Sequence, residues 1–255
     1  MNQYPAPEPQ PAAPAQSVRI SMPTSVPYVT YTIIGITAVI YLLQVASVFF
    51  FKIDLLEAYG ARRNDFIRAG ELWRLLTPAL LHASIPHILF NMYALIVLGV
   101  GLERNFGHWR FLTLYVLGAF TGNVLSFLLS SGSSVGASTA IVGLIGAEGI
   151  FLLQNRKLFG NQFRPAIGNV IFIVAINLFL GLSSPGIDNW GHLGGLLGGL
   201  IFSLFAGPRF EVEGIFPALH LADMREPRDV LTGVASVILI FGALAMVGIF
   251  HPLVP

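Results

Sequence analysis

The chain is defined first by what it lacks. It has no cysteine in 255 residues, which removes disulfides, thiolate metal sites and a cysteine nucleophile from consideration. Charge is scarce: 14 Lys+Arg and 13 Asp+Glu make up 11% of the chain, against about 25% in an average soluble domain. A formal net charge of +1 offers no electrostatic footprint for a nucleic-acid partner. The start has neither the basic n-region nor the apolar h-region of a secretory signal. No His-Glu-x-x-His occurs, so a zinc-protease helix is absent, and no apolar run carries a pair of aspartates for an aspartyl protease.

What remains is apolar. Hydrophobic residues are 55% of the chain and the mean hydropathy is +0.74. Pro27–Phe51, Leu75–Leu102, Pro165–Ile187, Asn189–Pro208 and Val230–Pro255 contain no Asp, Glu, Lys or Arg, and Phe111–Asn155 contains only Glu148. A stretch of about 20 such residues crosses the hydrocarbon core as a helix. The 111–155 run is too long for one crossing and breaks at Ser130-Ser131-Gly132-Ser133-Ser134, where small polar residues favour a turn. Seven spans are predicted, near 28–51, 79–102, 111–130, 136–155, 166–183, 190–207 and 231–250. The chain reads as an all-α polytopic membrane protein whose surroundings include the lipid bilayer.

The chain divides into four regions. Residues 1–27 hold seven of the sixteen prolines and read as a Pro-rich, disordered tail. Six of the predicted spans occupy 28–207, a connector of mixed charge 208–230, and the seventh span with the C-terminus 231–255. With the N-terminus inside, the inner connections hold nine Lys/Arg and the outer ones five, all five between 52 and 75. That asymmetry predicts a cytoplasmic N-terminus. Loop 52–75 mixes apolar and charged residues, a composition suited to lying in the interface.

Polar residues inside spans are costly and usually face a protein interior or a wet cavity. His82, His87 and Asn91 fall in the second predicted span, with His87 and Asn91 four apart on one face. Gly136-Ala137-Ser138 opens the fourth, and Trp190-Gly191-His192 opens the sixth. These three spans run in the same direction, so a hydroxyl, an imidazole and a His/Asn pair lie toward the same side. Gly191, Gly195 and Gly199 recur every four residues, a spacing that lets helix backbones approach closely. A Ser–His hydrogen bond between two helices requires such an approach. Taken singly, each signal has an ordinary structural explanation: a helix cap for Ser138, a packing residue for His192, a packing motif for the glycines. Glu148 and Asn177 are most simply helix-bridging residues.

Together these residues resemble the rhomboid intramembrane serine proteases, over about Glu71 to Ala206. Trp73-Arg74 is similar to the family's Trp-Arg element. His87-Ile88-Leu89-Phe90-Asn91 resembles its His-x-x-x-Asn motif, Glu103–Gly107 its Glu-x-x-x-Gly element, Gly136-Ala137-Ser138 its Gly-x-Ser-Gly motif, and His192–Gly199 its His-x-x-Gly-x-x-x-Gly helix. Thr139 stands where the family usually has Gly, and Val142 where many members have an aromatic. The resemblance implies a six-helix rhomboid-like core, here with one extra C-terminal helix. It implies a Ser138–His192 dyad that hydrolyses peptide bonds in or beside transmembrane segments of membrane-protein substrates. It further implies oxyanion stabilisation by the Ser138 N–H, His87 and Asn91, and structural support from Trp73, Arg74, Glu103, Gly136, Gly195 and Gly199. No cofactor and no metal are called for. The implied location is a bacterial cell membrane, with the site opening to the outer side. Two alternatives stay open: a rhomboid-like pseudoprotease that binds membrane clients uncut, and a small-solute transporter using Glu148, His87 and Asn177. The absence of a detectable inverted repeat counts against the transporter.

Overall fold

The computed structural model describes residues 25–184 and 186–254; the greater part of the predicted Pro-rich tail, residues 1–24, lies outside the described residues. Seven long helices stand at the seven predicted spans: α1 Tyr28–Phe51, α4 Ile85–Phe106, α5 His108–Leu129, α6 Ser138–Gln154, α8 Phe163–Ser183, α9 Asn189–Ala206 and α10 Pro227–Phe250. Between α1 and α4 lie the short helices α2 Leu55–Gly60 and α3 Asn64–Arg68, then 3-10 turns at Leu72–Leu75 and Thr77–Leu80. A single turn, α7 Arg156–Phe159, comes after α6.

The helices differ in what surrounds them. By length and apolarity, five are fit to cross a membrane: α1, α4, α5, α10 and the run 156–183 that contains α8. The two shortest, α6 with 17 residues and α9 with 18, are walled by other helices. Helices enclosed by protein need neither the length nor the continuous hydrophobicity that lipid demands of exposed ones. α5, α6 and α9 form the centre, α10 lies against α9 and α5, and α1 pairs with α4.

Two boundaries depart from expectation. The second span is expected from residue 79, but α4 begins at Ile85. Pro86 fits only the first turn of a helix, and Ser84 Oγ caps that turn by accepting the N–H of His87 at 3.3 Å. His82 therefore lies before α4 rather than in it, and His87 sits in the first turn of α4 rather than deeper in a span that starts at residue 79. The 208–230 connector holds a hairpin, with β1 Phe210–Glu213 antiparallel to β2 His220–Asp223. It is attached at its open end, where Phe210 pairs with Asp223, by the Arg110–Asp223 ion pair, 2.5 Å, and by Asn155. The Asn155 amide donates to Phe151 O and Pro208 O, both at 2.9 Å, while its Oδ1 accepts the Phe210 N–H at 2.8 Å.

Glu103 shows how distant ends are joined. Its carboxylate is fully buried near the end of α4, yet it accepts the N–H groups of Val29 and Thr30 at 2.8 and 2.7 Å and the Thr30 hydroxyl at 2.7 Å. The first turn of α1 thus finds its acceptor on another helix, at the positive end of the α1 dipole. His108 Nδ1 lies 2.6 Å from Glu103 Oε1, the oxygen that also accepts from Val29.

Candidate active site

Ser138 is the first residue of α6 and is half-buried. Three contacts on the preceding turn fix where it lies. Gly136 has φ +133°, a conformation open in practice to glycine alone, and its N–H donates to Pro78 O at 2.9 Å. The Ala137 N–H donates to His82 Nε2 at 3.4 Å. Further back, Arg62 and Ser134 form a two-way backbone bridge, with N···O distances of 3.0 and 3.2 Å.

Arg62 belongs to this support, although in the sequence it is one loop charge among several. Its side chain is fully buried and donates to Ser134 Oγ at 2.9 Å, Ser130 O at 3.2 Å and Gly132 O. One guanidinium thus satisfies polar groups along the whole α5–α6 turn. Burial pulls its pKa below the usual arginine value, and the charge of Asp188 opposes that shift.

His87 comes to Ser138 from the first turn of α4. A Cβ placed on Gly136 would fall 2.8 Å from His87 Nε2 and 3.6 Å from Ser138 Oγ. The glycine therefore lies close against both imidazole and hydroxyl. The His82 and His87 rings meet edge to face, 5.0 Å between centroids. Burial, with His87 beside it, pushes the His82 imidazole down to about 3, so the neutral ring accepts from Ala137. Gln44 of α1 brackets the His82 backbone, accepting its N–H at 3.1 Å. Asn91 is buried, and its amide donates to the carbonyl of His87 at 3.0 Å, on its own helix.

His192 lies in the first turn of α9 and is 6% exposed. Its height relative to Ser138 is set by backbone contact between α6 and α9. A Cβ on Gly195 would overlap the carbonyl of Thr139, and one on Gly199 would overlap that of Gly143. Four residues along one helix match four along the other, so the Ser138 and His192 ends share one level. Among the described residues no hydrogen bond joins Ser138 Oγ to His192, and His192 Nδ1 is buried without a partner. Asp188, just ahead, caps α9 by accepting the Gly191 N–H at 2.9 Å and also accepts the Ser126 hydroxyl.

Thr139 lies in a slot between two glycines. A Cβ on Gly122 of α5 would fall 2.5 Å from Thr139 Cβ, and one on Gly191 of α9 would fall 2.9 Å from its Cγ2. The extra bulk is accommodated by small residues on α5 and α9. Val142, one turn on, is buried at 3% exposure.

The loop elements lie farther out. Arg74 is 1% exposed; it donates to Glu71 at 2.7 Å, Ala61 O at 2.8 Å and Ala58 O at 2.9 Å, and stacks 4.5 Å over the Phe66 ring. Trp73 is half-exposed and donates through Nε1 to Tyr59 O at 3.0 Å. Glu148 is ten residues, about 15 Å, along α6 from Ser138. Asn177 donates to Ile173 O of its own helix at 2.8 Å. Neither joins the site, and no connected polar path runs through Glu148, His87 and Asn177 among the described residues. No group of three metal-ligating side chains occurs among the described residues either.

This arrangement has relatives. The rhomboid domain family matches residues 69–209. The chain is 40% identical over 181 residues to Rhomboid protease GluP of Bacillus subtilis (strain 168), a match covering 71% of this chain and 35% of that protein. It is 38% identical over 196 residues to RHOMBOID-like protein 7 of Arabidopsis thaliana, covering 73% and 62%. Against RHOMBOID-like protein 1 of the same plant it is 46% identical over 148 residues, covering 57% and 38%. The matched part is less than two thirds of the length of each of these relatives.

Proposed function

The chain belongs to the rhomboid family, and from that premise we propose that this multi-pass membrane protein is an intramembrane serine endopeptidase acting on transmembrane protein substrates. Ser138 Oγ attacks the scissile carbonyl while His192 takes the hydroxyl proton, and His192 then returns that proton to the leaving amine. A second pass with water in place of the amine releases the acyl group. The oxyanion is met by the Ser138 N–H at the positive end of α6 and by His87. Asn91 adds a donor through the amide hydrogen not engaged with the His87 carbonyl. Each such donor contributes about 3 kcal/mol to the transition state.

One observation carries the proposal: the Thr139–Gly195 and Gly143–Gly199 backbone contacts bring the first turns of α6 and α9, with Ser138 and His192, to one level. Half-burial of Ser138 and His87 leaves both within reach of water. A missing Ser–His hydrogen bond is compatible with a resting enzyme, since catalytic hydrogen bonds often tighten only around substrate.

The test is cleavage of a generic transmembrane substrate by purified protein in lipid. Ser138→Ala and His192→Ala are expected to lower the rate at least about 1,000-fold while eluting as the parent does in gel filtration. A fluorophosphonate is expected to label the parent and not Ser138→Ala. Equal cleavage by parent and Ser138→Ala overturns the dyad; a folded, unlabelled and inactive parent points instead to a client-binding pseudoprotease. The proposal includes an orientation, with a cytoplasmic N-terminus and the Ser138 end facing the outer side of a bacterial cell membrane, supported by the Lys/Arg asymmetry of the connections. Because the chain has no cysteine, the single substitutions Ser131→Cys and Arg228→Cys report it by impermeant maleimide labelling, with the first expected to react from outside.

A further inference from the structure

At the end of the bundle opposite Ser138, α6 leads into cations. Arg156 and Lys157 come directly after its last turn. Arg209, just before β1, and Arg225, just after β2, reach the same place, and the four line an open cavity of about 670 Å³. Glu211 is the only carboxylate in its wall among the described residues. It accepts from Arg209 at 3.1 Å, with both side chains at least half exposed, so the pair is screened by water and weak. Arg225 is fixed in place by backbone carbonyls, donating to Leu204 O at 2.7 Å and Gly207 O at 3.1 Å. Arg156 and Lys157 are exposed, and their side chains have no hydrogen bond or ion pair with other described residues. Four cations facing one partly engaged carboxylate leave an uncompensated positive field, which concentrates anions.

The rim is apolar. Leu153 at the end of α6 is 50% exposed, Leu158 on α7 is 36%, and Val212 on β1 is 51%. An inorganic anion has no use for that rim, whereas an anion carrying hydrocarbon covers it. We propose that this cavity binds the phosphate headgroup of an anionic phospholipid, with Arg156 and Lys157 as its adaptable donors and Leu153 and Leu158 against the acyl chains. Cationic pockets beside helix ends are suited to such headgroups. The position gives the lipid a structural role: Gln154 and Arg225 both donate to Leu204 O, so the cavity sits on the junction between α6 and α9. A phosphate bridging Arg156 and Arg209 holds together the far ends of the helices that bear Ser138 and His192. The inference does not rest on the chemistry at Ser138.

The experiment is native mass spectrometry of the full chain in detergent, with phosphatidylglycerol or phosphatidylcholine at equal concentration. Each surface cation strengthens anionic-lipid attraction roughly fivefold, so Arg156→Ala/Lys157→Ala is expected to lose about 25-fold in phosphatidylglycerol retention. Arg156→Lys/Lys157→Arg is expected to keep it. Arg228→Ala, on the same side and highly exposed, is expected to change nothing. The exposed positions substituted leave folding intact, checked by unchanged thermal unfolding without added lipid. Equal retention of the two lipids, an unaffected Ala/Ala variant, or an equal loss in Arg228→Ala each overturns the proposal. Displacement of phosphatidylglycerol by millimolar inorganic phosphate also overturns it, in favour of a free-phosphate site.

Discussion

Helices α8 and α9 are consecutive, of similar length and both strongly apolar, yet they meet opposite surroundings. Nine of the eighteen residues of α9 are buried, five of them glycine; of the twenty-one residues of α8 not one is. The difference lies in size rather than in hydrophobicity. Lipid is as apolar as leucine, so an apolar face alone gives a helix no reason to move from lipid to protein. The glycines of α9 let backbone meet backbone at Thr139 and Gly143 of α6, and let it close on Thr121 of α5; dispersion summed over that contact holds the helix. α8 presents Ile171, Phe172, Phe179 and Leu182, all more than 60% exposed. The proposed base is thus on a tightly held element, and its neighbour in the chain is held by little.

Four substitutions test that contrast, in descending order of effect. Gly199→Val drives a side chain into the Gly143 carbonyl and is expected to cost at least about 3 kcal/mol, read as loss of a folded species in an SDS titration of mixed micelles. Asp188→Ala removes the α9 cap and leaves the buried Ser126 hydroxyl unpaired. About 2 kcal/mol should go in the same titration, with Asp188→Asn recovering the cap. Asn189→Ala removes the donor to Leu178 O, a polar tie between α9 and the end of α8, at about 1 kcal/mol. That loss should appear as faster amide exchange over residues 178–183, with α9 unchanged. Ile171→Ala on the exposed face of α8 is expected within about 0.5 kcal/mol of the parent. Were Ile171→Ala to cost as much as Gly199→Val, the contrast between the two helices would fail.

Helix positions are legible because charge is so sparse that every gap long enough to span is visible. The start of the second span is misplaced by hydropathy because Ala79-Leu80-Leu81 is as apolar as the helix beyond it; Pro86, which belongs in a first turn, is the better marker. The hairpin escapes notice because two strands of four residues, held by Asn155 and Arg110 from distant helices, carry almost no local pattern. At the site, the motif residues are visible as polar groups out of place in apolar runs. Asp188 has a readable signal, an acidic residue just before a helix start. Arg62 has none: its partners at Ser130, Gly132 and Ser134 lie about seventy residues away, and only the folded chain brings a loop cation into contact with those groups.

The carboxylate that receives the first turn of α1 sits 73 and 74 positions later in the chain. During synthesis the opening helix therefore reaches the bilayer with its leading amides unanswered, and must borrow water at the surface until α4 has been made. Its final seat is decided late, by a residue that did not yet exist when it was inserted.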